Sequence, residues 1–515
     1  MRFDLSNPAH LSAALAPDIL VLVGAMVLLL VSVWNKESEY RRRQVAIGAL
    51  VITLLAAVVV VYYWWTGASA APGIIAVDNF RWAANLIFLL ATAFTLLMGL
   101  DYDEREDYAP AEAHVLLLFA TSGMMLLAAA RDLMIVFLGI ELMSIAVYVL
   151  AGIDRRSSRG AEAALKYFLL GAFATGFLLY GIALIYGAAG STNLQAIGEV
   201  VAASGGIADA PMMQIGIALL LVGFAFKVAV APFHMWAPDV YDGAPTPYTA
   251  YMATAVKAGA FAAFVRVWLE AFPLLPQTDA AMATALWYLA VLTMVVGNVV
   301  ALAQQSIKRL LAYSSIAHAG YVMVAIVVGT PIGASAFLFY LVAYTLATVG
   351  AFAVVMAVSA KGERRQQISD YAGLWRVRPW LALAMAVYML ALLGFPIVGG
   401  IGFFAKWYVI EAALEQSKNY LAIWLVLTSV VSAGYYLYVV MVMFMRPRPQ
   451  DAPELPLVPG ATRFVIGTTV ALILLFGVYP QPVIRFARAG TLLPMDLAAP
   501  AVAGDASPVA GTRER

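Results

Sequence analysis

Long apolar stretches, each about the length of one membrane crossing, recur along the whole sequence. A bilayer core needs roughly 20 apolar residues per helix, and fourteen such stretches are separated by charged or Gly- and Pro-containing breaks. They lie near residues 17–34, 46–66, 79–100, 111–130, 132–153, 161–187, 211–236, 245–270, 280–304, 308–329, 331–360, 380–412, 420–445 and 462–486. The sequence therefore predicts an all-α polytopic membrane protein with about 14 transmembrane helices.

The composition excludes several classes of function. Apolar residues make up 63% of the 515 residues and charged residues 12%, whereas about 25% is charged in a soluble protein, so a large soluble enzyme is excluded. The chain has no Cys, which excludes disulfides and Cys-ligated iron-sulfur clusters or zinc. The 31 basic and 30 acidic residues leave no basic excess for nucleic acid. We expect a lipid bilayer as the surroundings, no nucleic-acid partner, and no cofactor, metal or redox site in this chain.

The distribution of Lys and Arg predicts the orientation, because basic loops are retained in the cytoplasm. One set of alternate connections holds 18 of them, and the other set, with both termini, holds 8. We therefore expect a multi-pass protein of the bacterial inner membrane with both termini outside the cytoplasm. The Ala-, Gly- and Pro-rich residues 490–515 are predicted to form a mobile tail.

An internal repeat is detectable at a shift of 173 positions. It superposes Tyr148 on Tyr321 and Tyr167 on Tyr340, so that an interval of 19 recurs. The copies would be stretches four to eight and nine to thirteen, and because five is odd the second copy would be inverted, as in many transporters. Apolar composition with recurrent interfacial Tyr is the alternative explanation of these matches. The predicted units are three N-terminal helices, a first repeat, a second repeat and a C-terminal helix, over residues 1–110, 111–270, 280–446 and 447–489.

Four ionisable residues lie where a membrane helix should be apolar. Placing a charge at a helix centre costs about 2.5 to 3.5 kcal/mol, and packing alone does not explain Glu141, Lys227, Lys257 and Lys406. Polar side chains at helical spacing accompany them and predict a hydrated track for proton transfer. The supporting residues are Ser144, Tyr148, Thr254, His234, His318 and Tyr344.

Other polar residues have a simpler explanation. Lys166 is close to the end of its stretch and could extend to the interface beside Glu162. Arg266 and Glu270 are spaced as an interfacial pair at the outer end of the eighth stretch. Either of the histidines His234 and His318 could serve as a structural hydrogen-bonding residue instead of a relay.

Two stretches are longer than one crossing needs, and each contains helix-breaking residues before or after a lysine. In the seventh, Lys227 precedes Pro232; in the twelfth, Pro396 precedes Lys406. Gly399, Gly400 and Gly402 lie in the same predicted break. A break exposes helix ends at depth beside the lysine. Because a nearby Glu favours the charged form of Lys, a Glu141 and Lys227 pair that opens and closes would switch proton affinity.

Four segments carry a family resemblance. Residues 223–260 read GFAFKVAVAPFHMWAPDVYDGAPTPYTAYMATAVKAGA, and further matching wording lies at 131–152, 307–323 and 392–410. These segments resemble the antiporter-like membrane subunits of respiratory complex I and of multisubunit sodium/proton antiporters. The segment HMWAPDVYDGAP resembles the corresponding segment of the N-type subunits of NADH-quinone oxidoreductase.

The resemblance implies specific roles. Glu141 would be the helix-five glutamate, Lys227 the lysine of broken helix seven, Lys257 the connecting lysine of helix eight, and Lys406 the lysine of broken helix twelve that faces the outward half-channel. The chain would be a proton-translocating, non-redox subunit of bacterial NADH-quinone oxidoreductase, a translocase. NADH, flavin, iron-sulfur clusters and quinone would belong to the other membrane-arm and peripheral-arm subunits.

Two other functions remain open from the sequence. A subunit of a multisubunit sodium/proton antiporter would use the same residues without electron transfer. A membrane scaffold would only hold partners in line, although four charges at depth disfavour that function.

Overall fold

The fold is a bundle of membrane-length helices. The computed structural model describes residues 1–34, 39–106, 110–204, 206–207, 210–272, 280–397, 400–450 and 454–492. In these ranges twelve helices are long and apolar enough to cross a bilayer, and shorter apolar helices accompany them. Residue Gly399 of the predicted break and residues 493–515 of the predicted tail lie outside the described residues.

We number the membrane helices α1 to α14 in chain order. They are α1 Ala16–Val33, α2 Glu39–Trp65, α3 Asn79–Glu106, α4 Glu112–Ala129, α5 Leu133–Ala151, α6 Ser158–Ala189, α7 Pro211–Lys227, α8 Thr246–Ala271, α9 Ala280–Ala301, α10 Ile307–Val328, α11 Pro331–Val358, α12 with halves Pro379–Leu393 and Gly400–Glu415, α13 Asn419–Met445 and α14 Gly460–Val478. The predicted all-α membrane fold is confirmed.

Several short elements lie between the membrane helices. The sequence did not predict the short parallel pairing of strand β1 (Arg2–Phe3) with β2 (Ser69–Ala70). The fourteenth stretch was predicted to run to 486, but α14 ends at Val478 because Pro480 cannot donate to a continuing helix. The short helices are Pro8–Ala14, Leu194–Ala203, Ala237–Gly243, Leu374–Val377, Gln481–Ala489 and the 3₁₀ turn Ile368–Tyr371.

Burial divides the bundle into a centre and a periphery. All residues of the apolar core of helix α8 are buried, as are nearly all of those of α10 and α11, whereas fewer than half are buried in α1, α2, α6, α9, α13 and α14. The exposed faces are rich in large apolar side chains, as expected for contact with lipid or with partner helices. Polar side chains on α8 and α10 are therefore shielded from the bilayer by other helices.

Buried ion pairs hold both ends of α8. At one end the Arg266 guanidinium contacts Asp78 at 2.8 Å and Glu270 at 2.7 Å. The predicted Arg266–Glu270 pair is present, but Arg266 is fully buried instead of lying at an open interface. The sequence spacing could not show this, because Asp78 comes from a distant segment.

At the other end of α8, Glu363 is the centre of a second buried cluster. Its carboxylate accepts hydrogen bonds from the backbone N–H and hydroxyl of Thr246, both at 2.7 Å, and pairs with Lys308 of α10 at 2.9 Å. Burial alone would raise the pKa of Glu363, but Lys308 and Thr246 more than offset it and the pKa is lowered. The ionised carboxylate therefore ties α8 to α10.

Candidate functional site

Lys227 is the last residue of α7, where the helix breaks. Its side chain is buried, and Nζ donates hydrogen bonds to the Ser144 hydroxyl at 2.7 Å and the Tyr148 hydroxyl at 2.9 Å. Both partners lie on α5. The break predicted before Pro232 is confirmed, since residues 228–236 contain no helix and the chain resumes with Ala237–Gly243.

Glu141 lies one turn before Ser144 on the same face of α5. Its Oε1 is buried and has no hydrogen-bond partner among the described residues. In that part of the chain Glu141 and Lys227 also form no ion pair, and Lys227 Nζ bonds to Ser144 and Tyr148 instead. Lys227 therefore contacts the polar stripe that carries Glu141, while the direct contact assumed for a closed Glu–Lys pair is not made in this conformation.

Lys257 lies at the centre of the bundle, directly after a π-helical segment, Met252–Val256, within α8. Such segments are rare and are frequent at functional sites. The buried Nζ donates to the carbonyl of Ser315 on α10 at 3.0 Å and also to the Ser315 hydroxyl. Lys257 of the first repeat therefore forms a hydrogen bond with a hydroxyl of the second repeat.

A histidine lies one turn beyond that hydroxyl. His318 Nδ1 shares a hydrogen bond with the Tyr340 hydroxyl at 2.7 Å, and Nε2 shares one with the Tyr436 hydroxyl at 3.1 Å. The ring of Tyr344 lies 5.0 Å from the His318 ring. His318 is buried with both nitrogens engaged, so it is well placed for proton transfer and also structurally satisfied.

Lys406 lies on the second half of α12. Its Nζ donates to the carbonyl of Leu393, the last residue of the first half, at 2.8 Å, and lies 4.8 Å from the ring centre of Tyr321. A small cavity with space for about one water is lined by both Lys406 and His318. The broken helix thus supplies the lysine with a carbonyl that a continuous helix would use internally.

The break in α12 is confirmed, but two of the glycines predicted to form it are helical. Gly400 begins the second half and Gly402 lies within it. A Cβ at Gly402 would lie 1.7 Å from the Ala391 carbonyl oxygen. Gly402 is therefore needed for the close approach of the two halves, and the break itself follows Leu393.

A groove on the outside of the chain reaches Lys406. Its walls come from the α12 break and from α13, and its lining is mostly apolar. The lining includes Leu393, Phe395, Trp407, Val426 and Val430. Lys406 thus lines this groove, whereas Lys227 and Lys257 do not.

The two repeats build the same contact twice. Lys227 Nζ lies 5.3 Å from the Tyr148 ring centre, and Lys406 Nζ lies 4.8 Å from that of Tyr321. Tyr148 and Tyr321 are the tyrosines superposed by the shift of 173, and such cation–π contacts are favourable in a low-dielectric interior. The internal repeat is therefore visible in the site as well as in the sequence.

Not every polar residue predicted to support proton transfer lies next to the site lysines or His318. The Thr254 hydroxyl bonds back to the Ala250 carbonyl of its own helix at 2.7 Å. His234 is half-buried in the turn after α7, and its Nδ1 has no partner among the described residues. Ser144, Tyr148, His318 and Tyr344 are brought to the lysines, whereas Thr254 and His234 are not.

The predicted reading of Lys166 as a surface residue agrees with its contacts. Its half-exposed side chain pairs with Glu162 at 2.6 Å and Asp239 at 2.8 Å. Burial alone would raise the pKa of Asp239, but Lys166 and Arg309 more than offset it and the pKa is lowered.

Two residues of the site were not predicted from the sequence. Ser315 accepts from Lys257, and Tyr436 shares a hydrogen bond with His318. A serine one turn before a buried histidine was an available signal for Ser315. Among the described residues no group of three or more His, Asp or Glu side chains is placed to hold a metal ion.

Comparisons with known proteins show which family the chain belongs to. The sequence pattern of the family described as NADH:quinone oxidoreductase/Mrp antiporter, TM, matches residues 130–472. The chain belongs to this family. The chain is 49% identical over 501 residues to NADH-quinone oxidoreductase subunit N of Gemmatimonas aurantiaca, with 95% of each chain covered.

Solved structures give the same result. A chain of respiratory complex I from Thermus thermophilus with bound aureothin superposes with a TM-score of 0.77 at 38% identity, covering 92% of this chain and all of that one. A chain of the archaeal membrane-bound sulfane sulfur reductase superposes with a TM-score of 0.80 at 25% identity, covering 93% of this chain and 96% of that one. The predicted resemblance to antiporter-like subunits is confirmed.

Proposed function

We propose that this chain is a proton-translocating membrane subunit of a bacterial NADH-quinone oxidoreductase. One observation supports it most: three buried lysines of this chain, Lys227, Lys257 and Lys406, each donate hydrogen bonds to hydroxyl or carbonyl groups inside the bundle. A charge at this depth is expensive and usually marks an ion or proton pathway.

Control of the proton transfer begins at Glu141. This residue lies between the exposed side chains Leu138 and Ile145 of α5, so it is positioned to sense charge in a neighbouring subunit. Negative charge arriving near Lys227 raises the proton affinity of that lysine, and its withdrawal lowers it. Glu141 and Lys227 thus form the input of the subunit.

The proton then crosses between the repeats. Lys257 gives its proton to the Ser315 hydroxyl as that hydroxyl gives up its own, so Ser315 relays the proton along α10, where His318 lies one turn further on. His318 and the water-sized cavity beside it lead to Lys406. Lys406, held by the Leu393 carbonyl, discharges toward the outer half-channel.

Redox chemistry belongs to other chains in this proposal. NADH, flavin, iron-sulfur clusters and quinone are bound by partner subunits, and this chain contributes proton transfer to the translocase. Its place is the bacterial inner membrane, in contact with other membrane-arm subunits, with both termini outside the cytoplasm.

The orientation is testable because the chain has no native Cys. Arg156 precedes α6 and Glu199 lies in the short helix after it, and both are exposed. We expect Arg156→Cys to react with an impermeant maleimide only from the cytoplasmic side and Glu199→Cys only from outside. Labelling of both from one side would contradict the orientation.

The function itself is tested by NADH-driven proton uptake into membrane vesicles. Lys257→Met should lower uptake per assembled complex by about tenfold or more, as expected for loss of a proton-transfer group. The exposed Lys361→Met is the matched control and should pump normally. If the chain were only a scaffold, both variants would show normal proton uptake. Normal uptake by Lys257→Met would therefore overturn the proposal.

The sodium/proton antiporter function is the second candidate, favoured by the family description alone. It predicts that the chain co-purifies without NADH dehydrogenase activity. A native gel of solubilised membranes, probed for this chain and stained for NADH oxidation, separates the two. Co-migration supports the oxidoreductase subunit.

A further inference from the structure

The turn between α7 and α8 contacts two of the lysine sites. Trp236 anchors its beginning: the indole Nε1 donates to the carbonyl of Phe226, the residue before Lys227, at 3.0 Å. The buried indole also stacks on the Tyr167 ring with centroids 4.3 Å apart and planes 7° from parallel. Trp236 is therefore fixed directly against the end of α7.

Tyr167 gives Trp236 a second route to the same lysine. Its ring meets the Tyr148 ring edge-on at 4.7 Å, and the Tyr148 hydroxyl accepts the hydrogen bond from Lys227. A change in the position of Lys227 would disturb Tyr148, its hydrogen-bond partner, or Phe226, the residue before it. Trp236 bonds to Phe226 directly and contacts Tyr148 through the Tyr167 ring. Close-packed interiors transmit such displacements.

Tyr241 lies at the other end of the turn, in the short helix Ala237–Gly243. Its ring lies edge-on to Trp236 at 6.0 Å. Its hydroxyl donates to the Met252 carbonyl at 3.2 Å, and its own carbonyl accepts from the Thr249 hydroxyl at 3.0 Å. Tyr241 is thus attached to α8 through both its side chain and its backbone.

The contact with Met252 matters because of where it falls. Met252 begins the π-helical segment, and Lys257 follows directly after that segment. The register of this wide turn decides the direction in which the Lys257 side chain leaves α8, and so whether its Nζ meets Ser315. The Ser315 side chain also lies near the Tyr241 hydroxyl.

We propose that Tyr241 is a positioning residue that links the two lysines of the first repeat. The displacement of Lys227 passes through Trp236 to Tyr241, and the Tyr241 hydroxyl holds the π-segment in the register that brings Lys257 onto Ser315. The link rests on the proposed function, because it describes how the input lysine controls the connecting lysine.

Tyr241→Phe removes only the hydroxyl and tests the link. We expect uptake per assembled complex to fall about three- to tenfold, the effect of one lost hydrogen bond. Tyr371→Phe is the control, because Tyr371 is equally buried and its hydroxyl has no partner among the described residues. Uptake by Tyr241→Phe equal to that of Tyr371→Phe would overturn the proposal.

A double-mutant cycle with Tyr148→Phe separates a link from a local packing effect. If Tyr148 and Tyr241 act in one series, the double variant should lose less than the product of the two single losses. Independent packing defects would multiply, and that result would contradict the link.

Trp236→Phe keeps the test open if Tyr241→Phe does not assemble. It retains an aromatic ring but removes the bond to Phe226, so we expect it to lower uptake by about three- to tenfold. Wild-type uptake would overturn the link. Proton uptake by Lys257→Met in the same vesicles distinguishes a failure of the proposed function from a failure of the link. If Lys257→Met pumps normally, the proposed function is wrong. If it is inactive while the Tyr241 and Trp236 variants pump normally, only the link is wrong.

Discussion

The lysines of the two broken helices share one contact and differ in the other. Both lie over the equivalent tyrosine ring, at 5.3 Å for Lys227 and 4.8 Å for Lys406. Lys227 also donates to two hydroxyls of α5, whereas Lys406 donates to the Leu393 carbonyl of its own helix. The first lysine is therefore controlled by a neighbouring helix and the second by the break that creates it.

Two substitutions between the repeats explain the difference. At a shift of 173, Ala317 occupies the position of Ser144, so the second repeat lacks that hydroxyl. Asn298 takes the place of a Met and donates to the Tyr321 hydroxyl at 2.9 Å. The same lysine–tyrosine contact is thus accompanied by two hydroxyls of α5 in the first repeat and by a carbonyl of the lysine's own helix, beside a surface groove, in the second.

The largest expected effect concerns the input. Lys227→Met and Glu141→Gln should each assemble and lower proton uptake by about tenfold or more, because each removes one member of the switch. The double variant should lose less than the product of the two losses. Normal uptake by Glu141→Gln would exclude Glu141 from the control of Lys227.

The break in α12 gives the next prediction. Gly402→Ala should destabilise the assembled subunit by about 1 to 3 kcal/mol, because its Cβ would overlap the Ala391 carbonyl. Gly176→Ala is the control, since nothing lies within 4 Å of a Cβ there. Thermal unfolding of the purified complex measures both, and equal midpoints would contradict the close approach of the two halves.

A substitution at Asn298 would make the second repeat resemble the first. Asn298→Leu frees the Tyr321 hydroxyl to accept from Lys406 and also removes the amide oxygen that accepts from the Tyr435 hydroxyl. We expect the added hydrogen bond to Lys406 to slow proton uptake about three- to tenfold. Asn85→Leu is the matched control, because Asn85 is fully buried and neither amide atom has a partner among the described residues. Similar rates in the two variants would show that the hydroxyl of Tyr321 does not distinguish the repeats.

The smallest effect is expected at Lys166. Its pairs with Glu162 and Asp239 are partly exposed to solvent, and such pairs contribute little. Lys166→Met should change proton uptake by less than about twofold. A loss of uptake as large as that of Lys227→Met would show that Lys166 takes part in proton transfer.

The sequence predicted the parts of the fold and site that depend on local pattern. Apolar length located the membrane helices, the cost of buried charge singled out the four ionisable residues, and helix breakers located the ends beside Lys227 and Lys406. The repeat of Tyr148 as Tyr321 was also visible. Each of these signals is contained within one stretch of chain.

Contacts between distant segments could not be predicted in this way. Ser315 meets Lys257, and Glu363 meets Lys308 and Thr246, only because α8, α10 and the loop after α11 pack together. Side-chain direction was equally hidden: Thr254 has the right spacing beside Lys257 but bonds to its own helix. Spacing defines a face, and packing decides which groups on it meet.

Lys406 is proposed to release the proton at the end of the path that runs from Lys257 through Ser315 and His318. Arg keeps the positive charge and much of the volume but does not release its proton at working pH. NADH-driven proton uptake by vesicles carrying Lys406→Arg, compared with wild type at matched NADH oxidation and equal assembly, tests this most directly. We predict that Lys406→Arg assembles and blocks transfer through this subunit; unchanged proton uptake would contradict the carrier role.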